Sequence, residues 1–495
     1  METLDRKASL AAGESPAPVP SVENSLLRFW VPAVLLLAVF AFSVPTIPSA
    51  DMWWHLSTGH YILQNKSIPH TDPFSATFAG KPWIAHGWLS DVIFFATYSI
   101  AGYAGLLFLT GIVIALAFWF AYQRSGGPIL ARILSLALGV WAASPIFSVR
   151  PQIFTYLLAA VFLFILSRYA AGGSHKWLIF LPMLVLPWVD LHGGYILGPV
   201  LILLFALGSV GDGLAHLQDL AVTKHYLRDL LLAFLACLAV VPLNPNGFAM
   251  YSYFYATLQS SAMQASIMEW RSPDFHMSIF YPLAALMFLT VAILALSPSR
   301  PRPSQVLLFI FFALATLRSM RNLPFFVLVA FPLLAEYSFL PARKWRALST
   351  GLQRTLKLAA VFLAAAVAAQ MSSRRIADQL EMEKARFPLR AAAFLDAKQL
   401  PAPLFNSYDF GGYLIWKLYP RYRVYIDGRA DLYGDAFIEN FIQVYQVNAD
   451  PRPLLDRASI RTVIVEPRSN LATFLRNQSN WNRVYEDSVA VIFSR

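Results

Sequence analysis

Long runs of apolar residues recur through the first three quarters of the chain, and they constrain its fold more than any other feature. A run of about 20 apolar residues crosses the hydrocarbon core of a bilayer as a helix. Helices suit that environment because they satisfy their own backbone hydrogen bonds. We therefore expect an all-α polytopic membrane bundle of about 11 transmembrane helices, near residues 28–46, 103–122, 128–147, 152–170, 177–190, 194–211, 228–243, 278–297, 305–318, 323–340 and 355–371.

Composition supports a membrane protein and excludes other classes. The chain is 57% hydrophobic and 14% charged, whereas an ordinary soluble domain is about 25% charged. Its net charge of +11 does not indicate a nucleic-acid partner, because the basic residues mostly flank the apolar runs. The single cysteine, Cys237, lies inside an apolar run, which excludes intramolecular disulfides and cysteine-based metal sites.

The distribution of Lys and Arg predicts the orientation of the bundle. With the polar tail 1–27 in the cytoplasm and an odd number of spans, most basic residues before residue 371 fall inside, as the positive-inside rule requires. No cleavage-site pattern precedes run 28–46, so we interpret it as a retained signal anchor in a bacterial inner membrane. The residues predicted to lie inside include Arg124, Lys176, Lys224, Arg228, Arg300, Arg302, Arg343, Lys344, Arg346 and Arg354.

Three domains follow from this topology: the cytoplasmic tail 1–27, a membrane domain 28–371 whose first outer loop is 47–102, and an extracytoplasmic, or periplasmic, domain 372–495. In the last domain, charges of both signs return. A helix-like stretch 375–398 precedes a small α/β fold, since β-rich and helical patterns alternate. The predicted strands are 423–426, 461–466 and 489–493, and the predicted helices lie near 410–419, 434–446 and 469–478.

The first outer loop carries the strongest functional signal, because ionisable groups at a membrane interface are costly and usually functional. Asp51 and His55 are four residues apart and would share one face of a predicted helix 52–64. Either the pair binds a divalent cation, Mg²⁺ or Mn²⁺, or His55 orients Asp51 as a general base. The alternative for Asp51 is an N-cap. In the same loop, Trp83 and Trp88 are interpreted as an interfacial belt, and 88–101 as an interfacial amphipathic helix.

Arginines at the outer ends of later helices form a second group of candidates. Their planar guanidinium groups suit the phosphate oxygens of an anionic lipid-linked substrate. The alternative is that each arginine snorkels or pairs with Glu269 or Asp190. The arginines are Arg150, Arg271, Arg318 and Arg321.

Together these motifs resemble a group of uncharacterised bacterial membrane proteins. That group is similar to the C-type superfamily of polyprenyl-phosphate-sugar-dependent glycosyltransferases, which includes protein mannosyltransferase-like and lipid A aminoarabinose transferase-like enzymes. The resemblance rests on Asp51-Met-Trp-Trp-His-Leu-x-x-Gly, Asp72-Pro-Phe-Ser, Trp83-x-x-His-Gly-Trp-Leu, Trp188-Val-Asp-Leu-His-Gly-Gly, Asn244-Pro-Asn-Gly, Glu269-Trp, Asn406-x-Tyr-Asp-Phe-Gly-Gly-Tyr-Leu and Ile426-Asp-Gly-Arg-Ala-Asp431.

The resemblance implies an inverting transfer of a sugar from a polyprenyl-phosphate donor to a lipid, glycan or protein acceptor outside the cell. Asp51 would be the general base, and the four arginines would hold the leaving lipid phosphate. Many relatives carry paired acids in the first loop, whereas Met and two Trp follow Asp51 here, so Asp72 and Asp91 are alternative bases. Further substrate-binding candidates are His86, Asp72, His192, Glu269, Asp427 and Arg429.

Some alternatives remain at this stage. Asp427 and Arg429 either bind an acceptor glycan at the end of strand 423–426 or form a turn and ion pair that hold their domain together. The whole chain could instead be a transporter or flippase of a lipid-linked sugar, or a membrane-anchored scaffold that binds glycan. The deep parts of the spans are nearly free of charge and no internal repeat is evident, which favours the transferase over the transporter.

Overall fold

The computed structural model describes residues 23–45, 49–215, 217, 219–340 and 350–495. Most of the predicted tail 1–27 lies outside these residues, as do Arg343, Lys344 and Arg346. The helices up to the C-terminal domain are α1 Glu23–Ser43, α2 Met52–Asn65, α3 Trp88–Arg124, α4 Ile129–Ala143, α5 Gln152–Ala170, α6 Phe180–Leu191, α7 Leu197–Leu214, α8 Leu220–Val240, α9 Ala249–Gln259, α10 Ser261–Ser266, α11 Tyr281–Leu296, α12 Pro303–Arg318, α13 Leu323–Glu336, α14 Thr350–Arg386 and α15 Leu389–Lys398.

Each of the apolar runs in the sequence coincides with one of these helices. Within the described residues, six helical segments are long and apolar enough to cross a membrane, and two shorter apolar helices, Ala33–Ser43 and Pro303–Arg318, accompany them. The protein is therefore mostly helical with several candidate spans, and the count of 11 stays a prediction. Helix α13 is buried along nearly its whole length and packs against α4, α11 and α12, which places it in the centre of the bundle.

Two predicted helix boundaries differ from the structure. The predicted interfacial helix 88–101 continues into the following span as α3, with a kink at Gly102, whose φ of 59° suits glycine. The predicted helix-like stretch 375–398 is interrupted, because α14 ends at Arg386 and α15 begins after Pro388. Proline has no backbone N–H to donate and disfavours a helical residue before it.

The C-terminal domain contains a four-stranded sheet and five helices. Strands β1 Leu404–Asn406, β2 Thr462–Val465, β3 Asn482–Glu486 and β4 Val491–Ser494 lie in the order β1-β2-β4-β3. β1 is parallel to β2, and the other two pairs are antiparallel. The helices are α16 Tyr408–Leu418, α17 Ala430–Tyr433, α18 Asp435–Tyr445, α19 Arg452–Arg457 and α20 Asn470–Arg476.

All three predicted helices and two of the three predicted strands of this domain are confirmed. The prediction of a strand at 423–426 is wrong, because Val424 forms only an isolated bridge to Ser75 of the first outer loop. The backbone N–H of Ala76 donates to the carbonyl of Val424 at 2.8 Å, and the hydroxyl of Thr77 donates to that of Tyr425 at 2.7 Å. This segment therefore binds the outer loop instead of its own sheet.

Helix α16 packs directly on α2, which brings the C-terminal domain to the start of the first outer loop. The contact needs a glycine, since a Cβ on Gly412 would lie 2.7 Å from the carbonyl oxygen of Ala50. The C-terminal domain thus forms one wall of the region around Asp51.

Candidate active site

Asp51 immediately precedes α2, close to the predicted start of that helix. Its carboxylate makes no capping hydrogen bond to α2, so the N-cap alternative is not observed. Instead, Oδ2 lies 3.1 Å from Nη2 of Arg150, and Oδ1 accepts a hydrogen bond from Nε1 of Trp54 at 3.3 Å. The carboxylate is therefore held by side chains, that of Trp54 within α2 and that of Arg150, and not by the backbone of α2.

Arg150 bridges two carboxylates that are far apart in the sequence. Its guanidinium contacts Asp51 on one side and Glu269 on the other, and its Nε donates to the hydroxyl of Ser49 at 2.9 Å. The three charged side chains are 22–24% exposed, so the group is open to a ligand. Burial opposes the charge of Arg150, but Asp51 and then Glu269 outweigh it and raise the pKa of Arg150. Pairing with Glu269, one of the alternatives from the sequence, is thus observed for Arg150.

His55 turns away from Asp51. Its Nδ1 lies 2.6 Å from Oδ1 of Asp91, and both side chains are buried. Burial lowers the pKa of His55 to about 3, so the ring is neutral at neutral pH. His55 therefore does not orient Asp51, and its contact with Asp91 fixes the start of α3 against α2.

The geometry around Asp51 does not fit a divalent cation. The guanidinium of Arg150 already occupies one carboxylate oxygen of Asp51 with a positive charge, and His55 faces Asp91. Among the described residues, no three His, Cys, Asp or Glu side chains lie together as a metal-binding group. A cation of this kind needs several oxygen ligands at once, and we derive no step through a metal.

A histidine, a tyrosine and a carboxylate from three distant segments meet beside this group. The ring of His86 stacks on Tyr253, with Nε2 3.2 Å from the phenol oxygen, and its Nδ1 lies 4.0 Å from Oδ2 of Asp431 in α17. Burial raises the pKa of Asp431 and lowers the pKa of His86. Both side chains keep 16% of their surface exposed, so this cluster can also reach a ligand.

His192 lies next to this cluster, with its ring centroid 6.4 Å from that of His86. Its Nδ1 accepts from the backbone N–H of Gly194 at 3.0 Å and lies 2.8 Å from the hydroxyl of Thr155. Burial, and after it the positive charge of Arg321, lowers the pKa of His192. The ring is therefore neutral and held in a defined orientation.

Two of the four predicted phosphate-binding arginines reach this region. They are Arg150 and Arg321, whose guanidinium stacks over Trp270 at 5.1 Å. Arg271 is exposed and donates to the carbonyl of Ala265, and Arg318 is exposed at the end of α12. The last two therefore lie at the rim rather than in the cluster.

Asp72, Asp427 and Arg429 form a different kind of structure, because their side chains are fully buried. Arg429 donates to Asp72 at 2.7 Å and, through two nitrogens, to Asp427 at 2.7 and 2.8 Å. Tyr433 donates to Asp427 at 2.6 Å. The ion-pair alternative is therefore what the structure shows, and it extends further than predicted, since it joins the first outer loop to the C-terminal domain. The sequence predicted that Asp427 follows a strand. It does not, because segment 423–426 forms only an isolated bridge.

The tryptophans of the first loop that were predicted to form an interfacial belt make polar and cation–π contacts within the protein. Trp83 is buried, and the guanidinium of Arg429 lies 4.6 Å from its ring. Trp88 donates from Nε1 to Asp190 at 2.8 Å. Trp83 is therefore part of the protein interior, whereas Trp88 is half-buried, and the interfacial belt stays a prediction.

Sequence reasoning missed four contributors to the site: Trp54, Tyr253, Gly428 and Asp431. A Cβ on Gly428 would lie 2.0 Å from Oδ1 of Asp51, so this position accepts only glycine while Asp51 keeps its place. Gly428 and Asp431 belong to the same motif as Asp427 and Arg429, and this motif was the sequence signal that could have identified them. No pattern in the sequence pointed to Tyr253.

No protein-family model matches the chain, and a comparison with curated protein sequences finds no match. Solved structures do match. The archaeal oligosaccharyltransferase AglB from Archaeoglobus fulgidus, in complex with an inhibitory peptide and a dolichol-phosphate, has a TM-score of 0.52 at 12% identity. The match covers 90% of this chain and 69% of that one. The Archaeoglobus fulgidus oligosaccharyltransferase tethered to an acceptor peptide has a TM-score of 0.53 at 12% identity, over 89% and 70%.

ArnT from Cupriavidus metallidurans bound to undecaprenyl phosphate has a TM-score of 0.46 at 14% identity, over 95% of this chain and 98% of that one. At these identities the archaeal matches establish the fold. They show the fold alone, and that fold agrees with the one implied by the resemblance stated from the sequence.

Proposed function

We propose that this protein is an integral membrane glycosyltransferase that moves a sugar from a polyprenyl-phosphate carrier to an acceptor at the face of the membrane that holds Asp51. The observation that carries the proposal is the partly exposed group of Asp51, Arg150 and Glu269 at one end of a bundle with a C-type glycosyltransferase fold. An archaeal protein of similar fold was solved with a dolichol-phosphate. Since one fold serves several functions, the site and not the fold carries the argument.

In this reaction, the acceptor oxygen or nitrogen attacks the anomeric carbon, and the bond between that carbon and the phosphate oxygen breaks. The bonding electrons leave with the lipid phosphate, and the acceptor proton moves to a carboxylate. Asp51 is our candidate for this base, because its oxygens face Arg150 and Trp54 and not the backbone of α2. A positioned base contributes about 10²- to 10⁴-fold to such a step.

Arg150 and Arg321 are the candidates that offset the charge of the leaving phosphate. Arg150 holds two carboxylates, so a phosphate that binds beside it would draw its guanidinium away from Asp51 and leave Asp51 a freer base. Arg271 and Arg318, at the rim, would guide the anionic carrier towards these two. Glu269 would keep Arg150 in place between donor and acceptor.

His86, Tyr253, His192 and Asp431 are the candidates that bind the sugar. Neutral imidazoles, a phenol and a carboxylate offer both donors and acceptors for hydroxyl groups. Because Asp431 comes from the C-terminal domain, that domain would complete the substrate site and not serve only as an appendage. The expected setting is a bacterial inner membrane, with this face extracytoplasmic.

The test is release of free polyprenyl phosphate by the purified full-length protein, supplied with a panel of polyprenyl-phosphate sugars and a crude envelope extract as acceptor. Asp51→Asn should lower the rate by about 10²- to 10⁴-fold without a change in thermal unfolding. The matched control is Asp396→Asn, which removes one charge from an exposed ion pair with Arg421 and should act like the wild type.

Two outcomes would contradict the proposal. An undiminished rate for Asp51→Asn would assign the base to another acid. Binding of the donor without any release, by a wild-type protein that is folded, would favour a transporter or flippase of the lipid-linked sugar, or a glycan-binding scaffold.

A further inference from the structure

A second polar cavity lies at the end of the bundle opposite Asp51. Helix α5 begins two residues after Arg150 and ends at Ala170, which lines this cavity. Its 19 residues separate the two regions by about 28 Å, at roughly 1.5 Å per residue. The cavity has a volume of about 290 Å³, near the lower end of the roughly 300–1,000 Å³ of small-ligand sites. It is therefore separate from the candidate active site.

Ends of six helices form the cavity: α3, α5, α7, α8, α12 and α13. One wall is apolar, with Phe205, Leu308 and Leu333. The rest is polar and carries two charges of each sign, from Arg124, Arg302, Asp212 and Glu336.

Among the residues that the structure describes, no direct ion pair within 4.0 Å joins any two of these four charges. Asp212 accepts from the backbone N–H and the hydroxyl of Ser304 at 3.1 and 2.9 Å, and Glu336 accepts from the side chain of Gln305 at 3.2 Å. Asp212 is buried and Arg124 is half-buried, whereas Arg302 and Glu336 are exposed at the mouth of the cavity. Ionisable groups that are withdrawn from water in a membrane bundle are costly, and such sites are usually functional. They are complementary to a ligand that itself carries both charges.

Two donors are positioned for the anionic part of such a ligand. Arg124 is fixed by hydrogen bonds from Nε to the hydroxyl of Ser167 at 3.0 Å and from Nη1 to the carbonyl of Leu328 at 3.1 Å. Its other N–H groups make no hydrogen bond to the residues that the structure describes, and we assign them to the ligand. The hydroxyl of Ser209 is the second donor: the residue is only 4% exposed, and its oxygen has no hydrogen-bond partner among the described residues. A buried hydroxyl without a partner is costly, so it indicates a missing ligand.

We propose that this cavity binds the head group of a membrane phospholipid with a phosphate and a primary ammonium, as in phosphatidylethanolamine. Arg124 and Ser209 donate to the phosphate, and the exposed Arg302 adds positive charge at the mouth. Glu336 accepts from the ammonium, and the acyl chains follow the apolar wall towards the bilayer. Pockets that carry basic side chains between membrane helices are suited to lipid phosphates. With the topology predicted from the sequence, this lipid belongs to the cytoplasmic leaflet.

The experiment is a titration of the purified full-length protein in detergent with dioleoyl phosphatidylethanolamine, followed by native mass spectrometry. Arg124→Gln should lower the affinity about tenfold or more, because it removes charged hydrogen bonds. The matched control is Arg132→Gln. Arg132 lies at the same end of the bundle and also donates to a serine hydroxyl and a backbone carbonyl, those of Ser125 and Tyr122, but does not line the cavity. The affinity of Arg132→Gln for dioleoyl phosphatidylethanolamine should equal that of the wild type.

Ser209→Ala provides a second variant in case Arg124→Gln fails to fold, since it removes one hydroxyl that bonds to no described residue. It should lower the affinity about three- to tenfold. The wild type should prefer phosphatidylethanolamine to phosphatidylglycerol, and Glu336→Gln should abolish that preference. Asp51→Asn should bind the lipid normally, which separates this site from the proposed reaction.

Other outcomes would overturn the proposal. Unchanged affinity in Arg124→Gln and Ser209→Ala, or an equal loss in Arg132→Gln, would show that the lipid binds elsewhere. Inorganic phosphate and glycerophosphoethanolamine should not compete at concentrations near that of the lipid. Competition by either compound at such concentrations would identify a soluble phosphate compound as the ligand. It would rule out a membrane phospholipid as the ligand of this cavity.

Discussion

Two arginines in this protein each bridge two carboxylates, and they differ mainly in burial. Arg429 joins Asp72 and Asp427 with all three side chains fully buried. Arg150 joins Asp51 and Glu269, and each of these side chains keeps 22–24% of its surface exposed. From the sequence, residues of both groups were site candidates. Asp51 was predicted as the general base and Arg150 as a ligand of the donor phosphate, whereas Glu269, Asp72, Asp427 and Arg429 were predicted to bind substrate.

The comparison teaches that access to solvent, and not residue type, separates a structural ion network from a candidate active site. Arg429 has used its donors on protein partners and has aromatic rings of Phe74 and Trp83 over its face. Its side chain is fully buried, so a ligand from solvent has no access to it. Arg150 has the same number of carboxylate partners, but a phosphate can approach it from the open side.

The largest expected effect is on stability, from Arg429→Met. This change leaves two buried carboxylates without their cation, which typically costs about 3–5 kcal/mol. We expect a large fall in the unfolding temperature of the detergent-purified protein. Arg421→Met is the control, because Arg421 pairs with Asp396 at the surface and should cost under about 1 kcal/mol. Equal effects of the two changes would remove the distinction between buried and exposed networks.

Arg150→Gln should lower the activity strongly and the stability only slightly, in contrast to Arg429→Met. The residue is partly exposed, so the free energy of unfolding should fall by only about 1 kcal/mol. The rate of polyprenyl phosphate release should fall about 100-fold, since a donor to the developing charge is lost. Both are measured on the same preparation. A large loss of stability with a proportionate loss of folded protein would make Arg150 a second structural arginine.

Gly428→Ala tests whether the position of Asp51 matters. The new Cβ would lie 2.0 Å from Oδ1 of Asp51, so the carboxylate must shift, and a misplacement of about 1 Å can lower a rate by ten- to a hundredfold. Gly434→Ala is the control in the same domain. Its Cβ meets open space, and its φ of 73° costs stability without touching Asp51. Equal activity of the two variants would argue against Asp51 as the base.

The smallest effect is expected from Asp431→Asn. Burial raises the pKa of Asp431, so the stability that its neutral form contributes is present below the ordinary aspartate pKa of about 3.9. That contribution is lost as the pH rises through the raised pKa. Asparagine stays neutral throughout. The variant should therefore unfold at a slightly higher temperature than the wild type at pH 7–8, with no difference near pH 3.

The same variant should be less active, because the proposed sugar contact is lost. Asp409→Asn changes an exposed carboxylate in this domain and should alter neither property. A lower unfolding temperature of Asp431→Asn at pH 7–8 would mean that Asp431 stabilises the fold as an anion.

The membrane helices were the part of the fold that the sequence predicted best. Length and hydropathy identify such helices because lipid forces each segment to satisfy its own backbone. Helix α2, three of the helices of the C-terminal domain (α16, α18 and α20) and two of its strands (β2 and β4) were also predicted, since each has a local periodic pattern. Segment 423–426 has the composition of a strand, but it pairs with Ser75, which lies far away in the sequence.

The candidate site was predicted only in part. Asp51, Arg150 and Glu269 were each selected from the sequence, and the structure brings them together. Asp51 was predicted as the partner of the His55 side chain, but Nδ1 of His55 lies 2.6 Å from Oδ1 of Asp91, which is 36 positions away in the sequence. Tyr253 and Asp431 come from other segments and reach His86 only through tertiary packing.

The sequence by itself determined the class of the protein, its apolar helices and the segments that carry ionisable groups, because these depend on local composition and spacing. The tertiary structure decided which of those groups pair, which remain open to a ligand, and where charges without direct ion pairs line a cavity. Burial and pairing arise from residues that are up to 357 positions apart, as for Arg429 and Asp72. No local pattern encodes such a contact, so roles that depend on burial could be assigned only from the folded chain.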